Sequence, residues 1–226
     1  MMGEDLMGYA GYGQYIANNI ISLPYGVPIY TEVIANDLAK QFHLDIAKAK
    51  GLVNVNLNRI AQKLDLERFQ KGIYFKAKVT PFGKTKLNPA YITQNAYLRK
   101  NEETIGYETG ATFMNRIGLT TQMAKHRFIV TNVFNRNGSK VDEKLHLVIR
   151  KPYTFVTNDN YQYLQVLDAI ENKDKVPVDA NEPNRVILEY IRRCNLDIIK
   201  LLAYASKYYG RETLRHLGEI AAFELQ

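Results

Sequence analysis

Three times between Tyr12 and Leu64 the apolar residues return at helical spacing, and each run meets a residue that ends or begins a helix. Tyr15, Ile16, Asn19, Ile20 and Leu23 share one stripe, which Pro24 and Gly26 cut off. After a short extended piece, Val27 to Tyr30, Thr31 can cap a second helix with Val33, Ile34, Leu38 and Phe42 on one side, ending near His43. Asp45 can cap a third, in which Ala49, Val53, Leu57, Ile60 and Leu64 face inward. Gly51 weakens that helix by about 1 kcal/mol relative to Ala, so its first turns are expected to be irregular. In LERFQKGIYFKAK, Arg68, Lys71 and Gly72 then stand between two short extended pieces, and the glycine permits a tight turn. Three helices followed by a hairpin with a basic tip predict a winged helix-turn-helix, in which the third helix enters the major groove of DNA. The alternative is a generic three-helix unit with a hairpin.

The charge distribution falls along the same division. The chain of 226 residues carries a formal +7. Residues 1–39 hold four acidic residues and no Lys or Arg, whereas residues 40–84 hold ten basic residues against Asp45, Asp65 and Glu67. Clustered cations release condensed counterions from nucleic acid, so this window points to a polyanionic partner, namely duplex DNA. Lys48, Lys50, Asn54, Asn58 and Arg59 lie on or beside the outward face of the third helix, a face read as Lys, Asn and Arg only. Arg68 and Lys71 sit on the wing. Such side chains contact phosphates, and Asn and Arg suit the edges of adenine and guanine. For any one of them the alternative is an ordinary solvated residue.

The stretch Lys78 to Pro89, with Pro81, Gly83 and Pro89, reads as a linker. Two domains follow from it: residues 1–84, the winged helix-turn-helix, and residues 85–226, an interaction domain. In the second, Glu108 to Arg116 is a predicted short helix ended by Gly118. HRFIVTN and KLHLVIR are strands joined across a turn at Asn137 and Gly138. Four helical stripes follow, beginning at Tyr161, Val186, Ile198 and Leu214. The fold class is α+β: the winged helix-turn-helix, then a mixed α/β domain with a small antiparallel sheet and a helical C-terminal end.

Catalytic and metal chemistry find little purchase in the sequence. Cys194 is the sole cysteine and lies on a helix stripe, so no intrachain disulfide is possible and a reducing, cytoplasmic compartment is expected. The N-terminus carries acidic residues where a signal peptide carries basic ones, and no apolar run is long enough to span a bilayer, so no membrane association is expected. His43, His126, His146 and His216 are scattered without metal-ligand spacing, which leaves a metal site to convergence in space, and no metal or other cofactor is expected. Ser22, Ser139 and Ser206 stand in no G-x-S-x-G, and Ser139 reads as a turn residue. GYAGYG is Gly-rich but lacks the lysine and the preceding strand of a phosphate-binding loop. Asp168 and Glu171, three apart, can pair as carboxylates, yet an exposed helix face explains them as well. Asn115 and Arg116, close to Gly110 and Gly118, can bind an anion or can simply belong to a structural helix and its caps.

VNVNLNRI and LERFQKGIYF, followed by GYETGATFMNRIGLTTQ and then Thr131 and Asn132, resemble the AbiEi-type antitoxin family of type IV toxin-antitoxin, or abortive infection, systems. The likeness runs from about residue 12 to residue 217. Its most distinctive block is Gly110, Asn115, Arg116, Gly118, Leu119, Thr120, Thr121 and Gln122, whose role is unknown. The resemblance implies a non-enzymatic transcriptional repressor that binds the promoter of its own operon. It also implies a C-terminal domain that counters a nucleotidyltransferase toxin, with no stable complex between the two. Lys48, Lys50, Asn54, Asn58, Arg59, Arg68 and Lys71 match the family's DNA-reading helix and wing, from which Gly51 departs. Two alternatives remain: a stand-alone ligand-responsive regulator, or a nucleic-acid enzyme that uses the winged helix for docking.

Overall fold

A computed structural model describes residues 11–223. The acidic pair Glu4 and Asp5 and the start of GYAGYG lie outside them. The chain divides into two compact units, Met1–Ile92 and Thr93–Gln226, eight residues beyond the expected division at 84. It is mixed α+β, with nine helices and small sheets among the described residues. No described helix is long and apolar enough to cross a membrane.

The first unit opens with α1 (Tyr12–Ile21), β1 (Ile29–Tyr30), α2 (Thr31–Phe42) and α3 (Ile46–Ile60). Thr31 does not cap α2. It is the first helical residue, and its N–H donates to the Gly72 carbonyl at 2.9 Å, which ties the helix start to the hairpin. His43 ends α2 in the left-handed region (φ 50°). Asp45 caps α3 as expected, its carboxylate accepting from Ala47 N at 2.8 Å and Lys48 N at 3.2 Å. The hairpin is β2 (Leu66–Gln70) and β3 (Ile73–Lys76), turned at Gly72 (φ 82°). β1 pairs antiparallel with β3, giving a three-stranded sheet in the order β1-β3-β2. Ile16, Ile20, Leu38, Val53, Leu57 and Ile60, one stripe from each helix, form a core with Ile29, Leu66 and Tyr74 of the sheet.

The expected linker is structured. Val79–Thr80 and Gly83–Lys84 form a second hairpin, β4 and β5, before the short helix α4 (Pro89–Thr93). Pro and Gly mark turns without saying whether the turn lies inside a domain or between two.

In the second unit a π-helical turn (Gln94–Leu98) precedes a small hairpin, β6 (Arg99–Lys100) with β7 (Glu103–Thr104). Strand β8 (Gly106–Thr109) then leads into α5 (Gly110–Arg116). Glu108 and Thr109 are thus strand rather than helix, because β8 pairs with β9 (Arg127–Thr131), Glu108 opposite Ile129. The turn at Asn137 and Gly138 leads into β10 (Ser139–Asp142), so Ser139 is a strand residue; β11 (Leu147–Arg150) follows. The sheet order is β10-β11-β9-β8, and β11 runs parallel to β9. The sheet is therefore mixed, not antiparallel as expected. The apolar residues of β9 and β11 mark both as strands and the sequence joins them across one turn, but the polar SKVD between them, which carries no such signal, forms β10 and pairs antiparallel with β11, leaving β9 parallel to it. Helices α6 (Tyr161–Glu171), α7 (Pro183–Arg193), α8 (Ile198–Tyr208) and α9 (Arg211–Phe223) complete the unit. Phe113, Leu167, Ile191, Leu201 and Leu217 form the centre of their common core, and Leu164 of α6 packs with Tyr107 and Val130 of the sheet.

Candidate functional site

Helix α3 is unbroken through Gly51, contrary to the expected irregularity, and an added Cβ there would meet no atom within 4 Å. Its Asp45 cap and the burial of Ala49, Val53 and Leu57 outweigh the weak propensity of one exposed glycine. Each residue advances about 100° around a helix. The buried arc therefore leaves one exposed face bounded by Lys50 and Asn54 on one side and by Lys48 and Arg59 on the other, with Asn58 between. All five are exposed, as are Arg68 and Lys71 on the hairpin.

Two features of this face escaped the sequence reading. It is not wholly polar: Gly51 and Val55, the latter 48% exposed, lie along its middle. A valine on such a face offers the apolar contact that a thymine methyl accepts. Asn56, by contrast, is buried and donates to the Leu52 carbonyl at 2.8 Å. The basic window is also partly committed within the protein. Lys76 is buried, its ammonium donating to the carbonyls of Ile21 at 2.8 Å and Leu23 at 2.7 Å, which satisfies the end of α1. Lys84 pairs with Glu67 at 2.6 Å and Lys50 with Glu32 at 3.4 Å, both in solvent, where such pairs give way readily.

In the second unit the Gly110 to Gln122 block serves largely to end one helix and hold the loop behind it. Gly110 (φ 60°) starts α5, and an added Cβ would stand 3.3 Å from the Phe128 ring. Gly118 (φ 86°) follows the helix and donates to the Asn115 carbonyl at 3.0 Å. Asn115 turns to the Thr120 carbonyl at 3.1 Å, the Thr120 hydroxyl accepts from Gln122 N at 3.1 Å, and Thr121 donates from its N–H and hydroxyl to Asp179. Those donations hold the Asp179 carboxyl below its usual range. Arg116 points away from Asn115 to Glu108 at 2.8 Å, so the two do not share an anion.

Glu108 also receives Arg127, and both ion pairs border a cavity of about 450 Å³. Arg99, Arg116 and Arg127 line it together with Glu108, Tyr161 and Gln165, which leaves cationic charge in excess. Beneath its Tyr107 wall lies a buried cluster. Asp168 is fully buried, not on an exposed face: Arg150 donates to it at 2.5 Å, Tyr209 at 2.8 Å and Tyr107 at 3.2 Å. Burial first, and then the Asp168 charge, push the Tyr107 and Tyr209 phenols well above their usual range. Glu171 does not join Asp168 as a carboxylate pair but accepts from Tyr153 at 3.0 Å. Cys194 follows α7 half-buried against the helical core.

Two of the histidines that are scattered in sequence, His126 and His146, converge on a carboxylate that the sequence did not single out. His126, Glu143 and His146 bring one donor atom each to within 4.8 Å of one another. Neither a protein family nor a curated protein matches the chain.

Proposed function

We propose that this protein is a DNA-binding regulator of antitoxin type, whose first unit is a winged helix-turn-helix reading duplex DNA through α3. The observation that carries the reading is the exposed face of α3, with Lys48, Lys50, Asn54, Asn58 and Arg59 on an unbroken, capped helix. The order α1-β1-α2-α3-β2-β3 supports it, because winged helices place a short strand after the first helix and a hairpin after the third. In this reading Arg68 and Lys71 touch the flanking backbone, while Asn54, Asn58 and Val55 face the bases. The function is repression of the protein's own operon together with counteraction of a nucleotidyltransferase toxin by the second unit. It involves no enzymatic step and takes place in the cytoplasm. A regulator that answers to a small ligand is the second reading, favoured by the arginine-lined cavity.

The test is fluorescence anisotropy of the full chain with duplexes from upstream of its gene. About five phosphate contacts and a slope of −0.9 per contact give roughly a 500-fold loss of affinity between 50 and 200 mM salt. Lys71→Ala weakens all sequences alike and lowers the salt slope by about one, whereas Asn54→Ala or Asn58→Ala relaxes base preference. A flat salt titration refutes the reading. If coexpression of the full chain fails to relieve an adjacent nucleotidyltransferase's toxicity, the antitoxin part falls and DNA binding stands alone.

A further inference from the structure

Strands β9 and β11 run parallel in a register that sets Arg127 beside Leu147. The residue before each strand is a histidine, so the pairing itself brings His126 and His146 side by side, with ring centroids 5.9 Å apart. The Arg127 N–H donates to the His146 carbonyl at 2.9 Å and fixes the two backbones at this point. Glu143 comes from the turn between β10 and β11, which the Asp142 carboxylate holds by accepting from Leu145 N at 3.0 Å. Its carboxylate stands 3.1 Å from His126 Nε2. His146 itself occupies the left-handed region (φ 52°), where a residue with a Cβ is strained.

We propose that His126, Glu143 and His146 bind one divalent transition-metal ion of the Zn²⁺ class, with a fourth position open to water or an external donor. Donors about 2.1 Å from a tetrahedral zinc ion lie about 3.4 Å from each other. The His126 to Glu143 separation is near that edge length, and all three donor atoms fall within 4.8 Å, so side-chain rotation closes the site without moving a strand. Two imidazoles and one carboxylate select a transition metal over Mg²⁺ or Ca²⁺, which require oxygen donors. The Lys125 charge beside Glu143 opposes the ion, and its influence is weakened by solvent because Glu143 is exposed. The ion would clamp the β10–β11 turn to the start of β9, two segments that are otherwise joined at this end by backbone hydrogen bonds.

The experiment is calorimetric titration of metal-stripped, tag-free full-length protein with ZnCl2, alongside the visible spectrum with CoCl2. Expected are one ion per chain, a tetrahedral Co²⁺ spectrum, and a thermal midpoint that rises with free Zn²⁺. At a hundredfold excess over Kd, the ratio of unfolded to folded protein falls about 100-fold. His126→Ala and His146→Ala each weaken binding by at least about 100-fold, 2.7 kcal/mol. Glu143→Gln, at a solvent-exposed position, removes the anionic donor and also weakens binding. His43→Asn, in the other unit, leaves it unchanged. No saturable binding below about 1 mM Zn²⁺, or binding that survives the His126 and His146 substitutions, overturns the proposal.

Discussion

Removing the carboxylate of Asp168 tests the most consequential buried group in the second unit. Asp168→Ala leaves the Arg150 guanidinium, whose side chain is 26% exposed, without its carboxylate partner and deprives the Tyr107 hydroxyl of its acceptor, while Tyr209 keeps the Leu164 carbonyl at 3.2 Å. Breaking a buried ion pair by deleting one partner costs about 3–5 kcal/mol. The partial exposure of Arg150 moves the expected value towards about 3 kcal/mol, and the orphaned Tyr107 phenol adds about 1 kcal/mol. A loss of about 4 kcal/mol is a large share of the 5–15 kcal/mol that stabilises an ordinary domain. Asp168→Asn, which keeps an acceptor but not the charge, falls between the two. The assay is urea unfolding of the full chain followed by near-ultraviolet circular dichroism, which reads its sixteen tyrosines without interference from tryptophan. An exposed helix-face carboxylate would change stability by no more than about 0.5 kcal/mol. A measured loss below about 1 kcal/mol would therefore refute the buried placement.

The same cluster sets a limit in alkali. Tyr107 and Tyr209 are held neutral in the folded protein above the pH at which free phenols ionise. Their contribution is full below about pH 10 and declines above it by about 1.4 kcal/mol per pH unit for each phenol. Tyr153, pushed up to about 12 by burial and by Glu171, is more exposed and adds less. Urea midpoints between pH 9 and 11, taken with and without Tyr107→Phe and Tyr209→Phe, check this; an unchanged alkaline slope in the double variant contradicts it. Gly51→Ala should raise the stability of the first unit by about 1 kcal/mol, since the helix is regular there and the added methyl meets nothing. A lower thermal midpoint would show that α3 is strained at that residue.

Local pattern carried the helices well. The stripes around Ile20, Leu38 and Leu57 and the Asp45 cap sit where spacing and capping chemistry place them, because both act within one or two turns of chain. What escaped depends on partners distant in sequence. The parallel alignment of β9 with β11, the burial of Asp168, and the meeting of His126 with His146 are all fixed by which strand lies beside which. Composition also overstated the outward charge of the basic window, because Lys76 reads as one more surface cation until its carbonyl partners near residue 22 are known. Val55 was passed over for a related reason: hydrophobic residues are assigned inward by default, whereas the stripe on α3 is narrow enough to leave it outside.

The four-stranded sheet ends in two unlike margins. The residues of β8 are all buried, whereas β10 offers Ser139, Lys140, Val141 and Asp142 with three of the four exposed. A strand of this kind, paired on one side only, is a template on which a second molecule can add its own strand, and assembly of that kind ends in fibres or precipitate. Here the template is four residues long and alternates charge with a lone apolar residue, so an incoming strand would have to desolvate Lys140 and Asp142 for little apolar gain. The polarity that hid this strand from recognition in the sequence thus also disfavours the addition of a neighbouring molecule's strand.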